Sequence, residues 1–186
     1  MTIWSTLVSM KCLPIMKNDD QRPELSDSKS TGLTATAYHE AGHAVMALIL
    51  GRSIEKVTIS PAQLQTGGFR LGACRIQKGR SKASKDALED DVLILLAGMV
   101  AESHFTGRYC EAGAAQDLRA VKRLLANRAQ SGRNVDRLTR RLLDKTEHIL
   151  GAAAHATAIQ MVSQELLQKE TITGRAVQQF LKQALQ

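Results

Sequence analysis

Thr36-Ala37-Tyr38-His39-Glu40-Ala41-Gly42-His43-Ala44-Val45 is the stretch on which the reading of this chain turns. It contains His39-Glu40-x-x-His43. On an α-helix, residues i and i+4 leave one face, so both imidazoles can converge on a single ion. Zn²⁺ takes imidazole nitrogen readily and favours about four ligands in a tetrahedron. Two histidines leave room for a third protein ligand and a water. Glu40 follows the first histidine and would lie beside that water, where it could take its proton. The competing reading is a pair of hydrogen-bonded core histidines. It leaves a glutamate between them on an apolar helix without a task.

Outward from the motif, Leu33 to Leu50 reads as one helix. Thr34 or Thr36 is the expected N-cap, and Gly51 the C-terminal stop. Residues 1–32 are read as a flexible N-terminal segment and residues 33–186 as one domain. After Gly51 the periodicity changes. Lys56-Val57-Thr58-Ile59-Ser60 alternates and reads as a strand ended by Pro61. Gly67-Gly68 reads as a turn, with Phe69 to Ile76 returning as a second strand. Lys85 to Phe105 carries a broad apolar face through Val92, Leu93, Leu95, Leu96, Met99 and Val100, and Gly107 stops it. Ala97-Gly98 would let another helix approach closely. A third helix follows over Ala114 to Gln130, with Asp117 in its first turn. Residues 135–169 form one long helix or two, Gly151 being the candidate break. Arg175 to Leu185 closes the chain. The fold class is mainly α, with a small sheet beside the motif helix.

The chain has 186 residues, only 3% aromatic, and a formal net charge of +7. That length suits one domain, and the core must be built from Leu, Ala, Val, Ile and Met. Cys12, Cys74 and Cys110 are scattered and form no C-x-x-C pair, which fits a reducing compartment, and a cytoplasmic location is expected. No apolar run approaches 18 residues, so no membrane span is expected. A signal peptide is not expected either, because no basic region precedes the mildly apolar first 16 residues. Arg119, Lys122, Arg123, Arg128, Arg133, Arg137, Arg140, Arg141 and Lys145 read as a solvated basic helix face. With so few aromatics to stack on bases, nucleic acid is not favoured as a partner.

The residues themselves leave the third ligand open. No third histidine follows His43 closely, and position 46 is Met. The remaining histidines are His104, His148 and His155, and the acids on suggestive elements are Glu102 and Asp117.

Tyr38-His39-Glu40-Ala41-Gly42-His43-Ala44-Val45 closely resembles the zinc motif of the FtsH family of membrane-anchored, ATP-dependent metalloproteases. Further matches follow in the same order. They are Lys56-Val57-Thr58-Ile59-Ser60-Pro61, Leu95-Leu96-Ala97-Gly98-Met99-Val100-Ala101-Glu102, Gly113-Ala114-Ala115-Gln116-Asp117-Leu118, and Leu166-Leu167-Gln168-Lys169-Glu170-Thr171-Ile172-Thr173-Gly174. The resemblance covers about residues 33–185 and implies the peptidase part of that family. It implies His39, His43 and Asp117 as zinc ligands, Glu40 as the catalytic carboxylate, and Glu102 as a neighbour that supports a ligand. It also implies that Val57, Thr58, Ile59 and Ser60 form the strand edge that pairs with an extended polypeptide substrate.

The ATPase module and membrane helices of the family have no counterpart among these residues. Gln116 stands where the family has Asn, Ser103 where it has a second glutamate, and the connection between Leu125 and Thr146 is shorter. The expected activity is zinc-dependent hydrolysis of unfolded or flexible polypeptides without an ATPase of its own. A separate ATPase or further copies of the chain are candidate partners. The alternative is a non-proteolytic zinc-binding module that docks on another protein.

Overall fold

The motif helix is the longest element and the one around which the others pack. The computed structural model describes residues 25–63, 69–129 and 131–186. In it α1 spans Leu25–Ile49, so the helix starts eight residues before Leu33. The part of the N-terminal segment before Leu25, and the turn expected at Gly67-Gly68, lie outside the described residues. Thr34 and Thr36 are not caps, because both sit inside the helix. The Thr36 hydroxyl donates to the Gly32 carbonyl one turn back, at 3.0 Å. A hydroxyl that can cap a helix can equally satisfy itself within one, which is why polar residues here did not mark the start.

From Ala37 to Ala47 nearly every residue of α1 is buried. Such a helix needs neighbours on all sides. It packs chiefly against α2 (Ala87–Thr106) and α5 (Ala153–Lys169), with α6 (Gly174–Ala184) and the sheet completing its surroundings. α2 begins at Asp86, whose carboxylate accepts the Glu89 N–H at 3.0 Å. It ends where Gly107 turns left-handed at φ 73°. The two helices approach closely because their contact is made of small residues. A Cβ at Gly42 would lie 2.4 Å from the Ala97 carbonyl oxygen and 2.6 Å from the Ala101 Cβ.

α3 (Ala115–Ala126) and α4 (Gly132–Leu150) flank α2. Of the two alternatives left open for residues 135–169, the structure has two helices, α4 and α5, parted at Gly151. Leu96, Leu125, Leu150 and Leu166 are nearly all out of solvent. Burial of such a side chain contributes about 1.5–3 kcal/mol. α3 is the least anchored of the helices near the site. Only Val121 and Leu125 are buried along it, and its N-cap position, Ala114, makes no side-chain capping bond.

Three short strands form one antiparallel sheet: β1 (Ile54–Thr58) in the middle, β4 (Ala73–Ile76) on one side and β5 (Thr171–Thr173) on the other. Val57 faces Cys74 across one ladder and Ile172 across the other. The return strand expected over Phe69 to Ile76 is divided. Its first part, β3 (Phe69–Arg70), pairs with β2 (Ala62–Gln63) in a separate two-stranded sheet, and Leu71-Gly72 links it to β4. No helix among the described residues is long and apolar enough to cross a membrane.

Candidate metal centre

His39 and His43 leave α1 one turn apart toward α2 and α3. His39 Nδ1 donates to Glu102 Oε2 at 2.9 Å. His43 Nδ1 donates to the Ile94 carbonyl at 2.7 Å. Each ring is therefore held from its Nδ1 side, which directs Nε2 to the other side. Both Nε2 atoms meet Asp117 there. His39 Nε2 lies 3.1 Å and His43 Nε2 3.4 Å from Asp117 Oδ2. His39, Glu40, His43 and Glu102 are all buried, in a protein interior that otherwise takes few charged groups.

The donor atoms of His39, His43 and Asp117 all lie within 4.8 Å of one another. Bonds of about 2.0–2.1 Å to a tetrahedral zinc would set ligand atoms roughly 3.3–3.4 Å apart. The two measured separations are close to that edge. The chemistry of the set, two imidazole nitrogens and one carboxylate oxygen, is that of a three-ligand zinc site with a fourth position left for water. Space also fits. A Cβ at Gly98 would fall 2.5 Å from His43 Nε2 and 2.6 Å from His39 Nε2.

Electrostatics agree with an ion-binding role. Burial alone would drive His39 toward its neutral form. Hydrogen bonds to Asp117 and Glu102, with the charge of Glu40, outweigh that and push its pKa up to about 9. Burial likewise works against the Asp117 carboxylate, but hydrogen bonds from His39 and His43 hold it well below the usual carboxylate range. Without a metal, the three carboxylates lean on a protonated imidazole.

The trio and Glu40 open onto one cleft of about 650 Å³. One wall is β4 and the segment before it, through Leu71, Gly72, Ala73, Cys74 and Ile76. Cys74 is half-buried, and its thiol is pushed up to about 12, by desolvation first and by the nearby Glu40 charge second. Cys110 lines the other side, accepting the Gly113 N–H at 3.4 Å. Neither cysteine belongs to the donor set.

Val57, Thr58, Ile59 and Ser60 are not placed as an edge. β1 is the central strand, hydrogen-bonded on both sides. Ile59 N donates to the Glu170 carbonyl at 2.9 Å, Ser60 Oγ donates to Glu170 Oε2 at 3.1 Å, and Thr58 shares a hydroxyl hydrogen bond with Thr171 at 2.7 Å. The side expected to face a substrate is taken by β5 and the turn before it. The strand that borders the cleft is β4, whose outer edge has no strand neighbour among the described residues.

His104 bonds Glu147 at 2.8 Å, and His155 Nδ1 donates to the Ile149 carbonyl at 2.6 Å, so both are structural. In the basic run, Arg128 pairs with Asp86 while Arg141 and Lys145 pair with Glu89, tying it in part to the start of α2. Gly98 and Gly72 were not legible as site residues. A glycine beside an apolar helix reads as room for a neighbouring helix, not as room for an imidazole.

Known proteins similar to this chain carry zinc-metalloprotease names. The profile of Peptidase family M41 matches residues 27–131. The ATP-dependent zinc metalloprotease FtsH of Protochlamydia amoebophila is 39% identical over 93 residues, covering 48% of this chain and 10% of that protein. FtsH 2 of Methylacidiphilum infernorum is 28% identical over 187 residues, covering 79% of this chain and 28% of its own length. The Acidimicrobium ferrooxidans FtsH is 27% identical over 204 residues, covering 88% and 30%. The chain thus spans between a tenth and under a third of the length of these curated relatives.

Proposed function

The chain belongs to peptidase family M41, and from that premise we propose that it is a zinc-dependent metalloendopeptidase acting on unfolded or flexible polypeptide. The observation that carries this is the convergence of His39 Nε2, His43 Nε2 and Asp117 Oδ2 in the cleft that also holds Glu40. His39, His43 and Asp117 hold the ion. When bound, zinc supplies Lewis acidity to a water and to the scissile carbonyl. Glu40 takes the proton of the attacking water and returns it to the leaving amine. Glu102 and the Ile94 carbonyl fix the two imidazole tautomers. The outer edge of β4 aligns an extended substrate through its backbone, which gives little sequence selectivity. A separate ATPase or further copies of the chain would be the partners that deliver folded substrates.

The test pairs zinc content with hydrolysis of casein by the wild type and by Glu40→Gln. Glu40 is not in the donor set, so the variant keeps its zinc and loses about 10²–10⁴-fold in rate. A glutamine variant that cleaves at the wild-type rate would remove Glu40 from the mechanism. A zinc-loaded wild type that cleaves nothing would favour a binding module instead.

A further inference from the structure

At two of the glycines beside the site, a side chain would strike one of its working groups. Gly98 lies on α2. Its built Cβ meets His43 Nε2 at 2.5 Å, His39 Nε2 at 2.6 Å and His39 Cδ2 at 2.7 Å. Those nitrogens are the ones that converge on Asp117. Gly72 lies just before β4. Its built Cβ meets Glu40 Oε1 at 2.6 Å, Cγ at 2.7 Å and Cδ at 2.9 Å. Non-bonded heavy atoms rest about 3.5–4.0 Å apart, so each contact demands a displacement.

We propose that Gly98 and Gly72 are positioning residues with separate tasks: Gly98 keeps open the place where the two imidazoles meet a metal, and Gly72 seats the Glu40 carboxylate. The inference rests on the zinc-peptidase reading above.

Ordinary reasons for a glycine do not cover either position. Neither has a left-handed backbone; among the described residues those glycines are Gly51, Gly79 and Gly107. Close approach of α1 and α2 is served by Gly42, whose built Cβ meets backbone and an alanine methyl. The nearest atoms to a Cβ on Gly98 are imidazole atoms only. In mid-helix, glycine is a poorer helix former than alanine. A residue that weakens its own helix while sparing two ligand atoms is one kept for the site. At Gly72 the clash falls on the end of a flexible side chain, which can move aside. Alanine there should leave the fold intact and move Glu40.

The experiment uses the full chain with Gly98→Ala and Gly72→Ala. Zinc affinity is measured by competition with a chromophoric chelator, melting temperature in excess EDTA, and kcat and KM with zinc in excess. Gly98→Ala should lose more than about 100-fold in zinc affinity, beyond the range for an outer hydrogen-bond partner. In excess EDTA it should still fold and melt cooperatively. Gly72→Ala should keep zinc affinity within about threefold and lose kcat toward the ~10²–10⁴-fold of a missing base, with KM little changed. Adding Gly72→Ala to Glu40→Gln should cost nothing further, because both act on one group.

Wild-type zinc affinity in Gly98→Ala, or a Gly98→Ala chain that does not fold in EDTA, would overturn its task, the second by making Gly98 a packing residue. An unchanged kcat in Gly72→Ala, or loss of zinc in step with Gly98→Ala, would overturn the other. A wild type that binds zinc but cleaves nothing overturns the hydrolase reading and Gly72's task, while Gly98 is still decided by the zinc titration.

Discussion

Asp117 and Glu102 both reach His39, but from opposite sides of its ring. Only the Nε2 side is shared with His43, so only Asp117 can join both imidazoles on one ion. Asp117→Ala should lose zinc on dialysis against a weak chelator. Glu102→Ala should retain more, since an outer partner is worth roughly 10–100-fold in affinity. The reverse order would give the ligand role to Glu102. Protons compete with the metal at the same nitrogens. With the His39 pKa raised to about 9, zinc must displace a proton at neutral pH. Affinity should rise by up to about tenfold per pH unit between pH 7 and 9. The zinc-free fold should show the opposite trend. His39 is raised from 6.5, so its contribution to stability is complete below about pH 6.5 and fades as pH climbs through 9. Zinc titrations and EDTA melts across that window check both; an affinity that is flat in pH contradicts the raised pKa.

α2 carries Glu102, Gly98 and the carbonyl that holds His43, so its register matters to the site. Its start is fixed by the Asp86 carboxylate on the Glu89 N–H. Asp86→Ala should cost about 1 kcal/mol in urea unfolding, and Asp86→Ser should restore most of it. Equal losses in both would shift the effect to the exposed Arg128 pair, which is worth little by itself. The lengths of α1 and α2 show what could be read in advance. Their apolar patterns and the two histidines at i and i+4 are local signals, and both helices are where those signals put them. The first turns of α1 were missed because Ser, Thr and Gly there resemble a break. β5 was missed for a different reason. Thr171-Ile172-Thr173 becomes a strand only by pairing with β1, 113 residues away at the Thr58–Thr171 contact. That same pairing makes β1 a central strand and transfers the cleft edge to β4. The third ligand was open for the same cause: Asp117 is 78 residues from His39, and spacing carries no information at that range.

The whole chain is cationic, yet its site is not. Arg128, Arg141 and Lys145 are spent on α2, while the cleft gathers three carboxylates around two imidazoles. The attraction for a divalent cation is therefore local, not a product of net charge. The metal trio joins α1, which is packed on all sides, to α3, which buries only Val121 and Leu125 and has no side-chain cap. On the proposed reading, zinc would clasp α3, as a flap, to α1. Without it, the His39–Asp117 hydrogen bond remains as the tie between α3 and α1, and α3 should open sooner than the rest of the molecule, since segments with few buried contacts open at low cost. Amide exchange should thus accelerate in residues 115–126 on chelation while α1 stays protected. Uniform acceleration would mean the clasp holds the entire body. If the flap alone loosens, zinc leaves by way of α3, and a trace of chelator turns that helix into the first place where a foreign protease can cut.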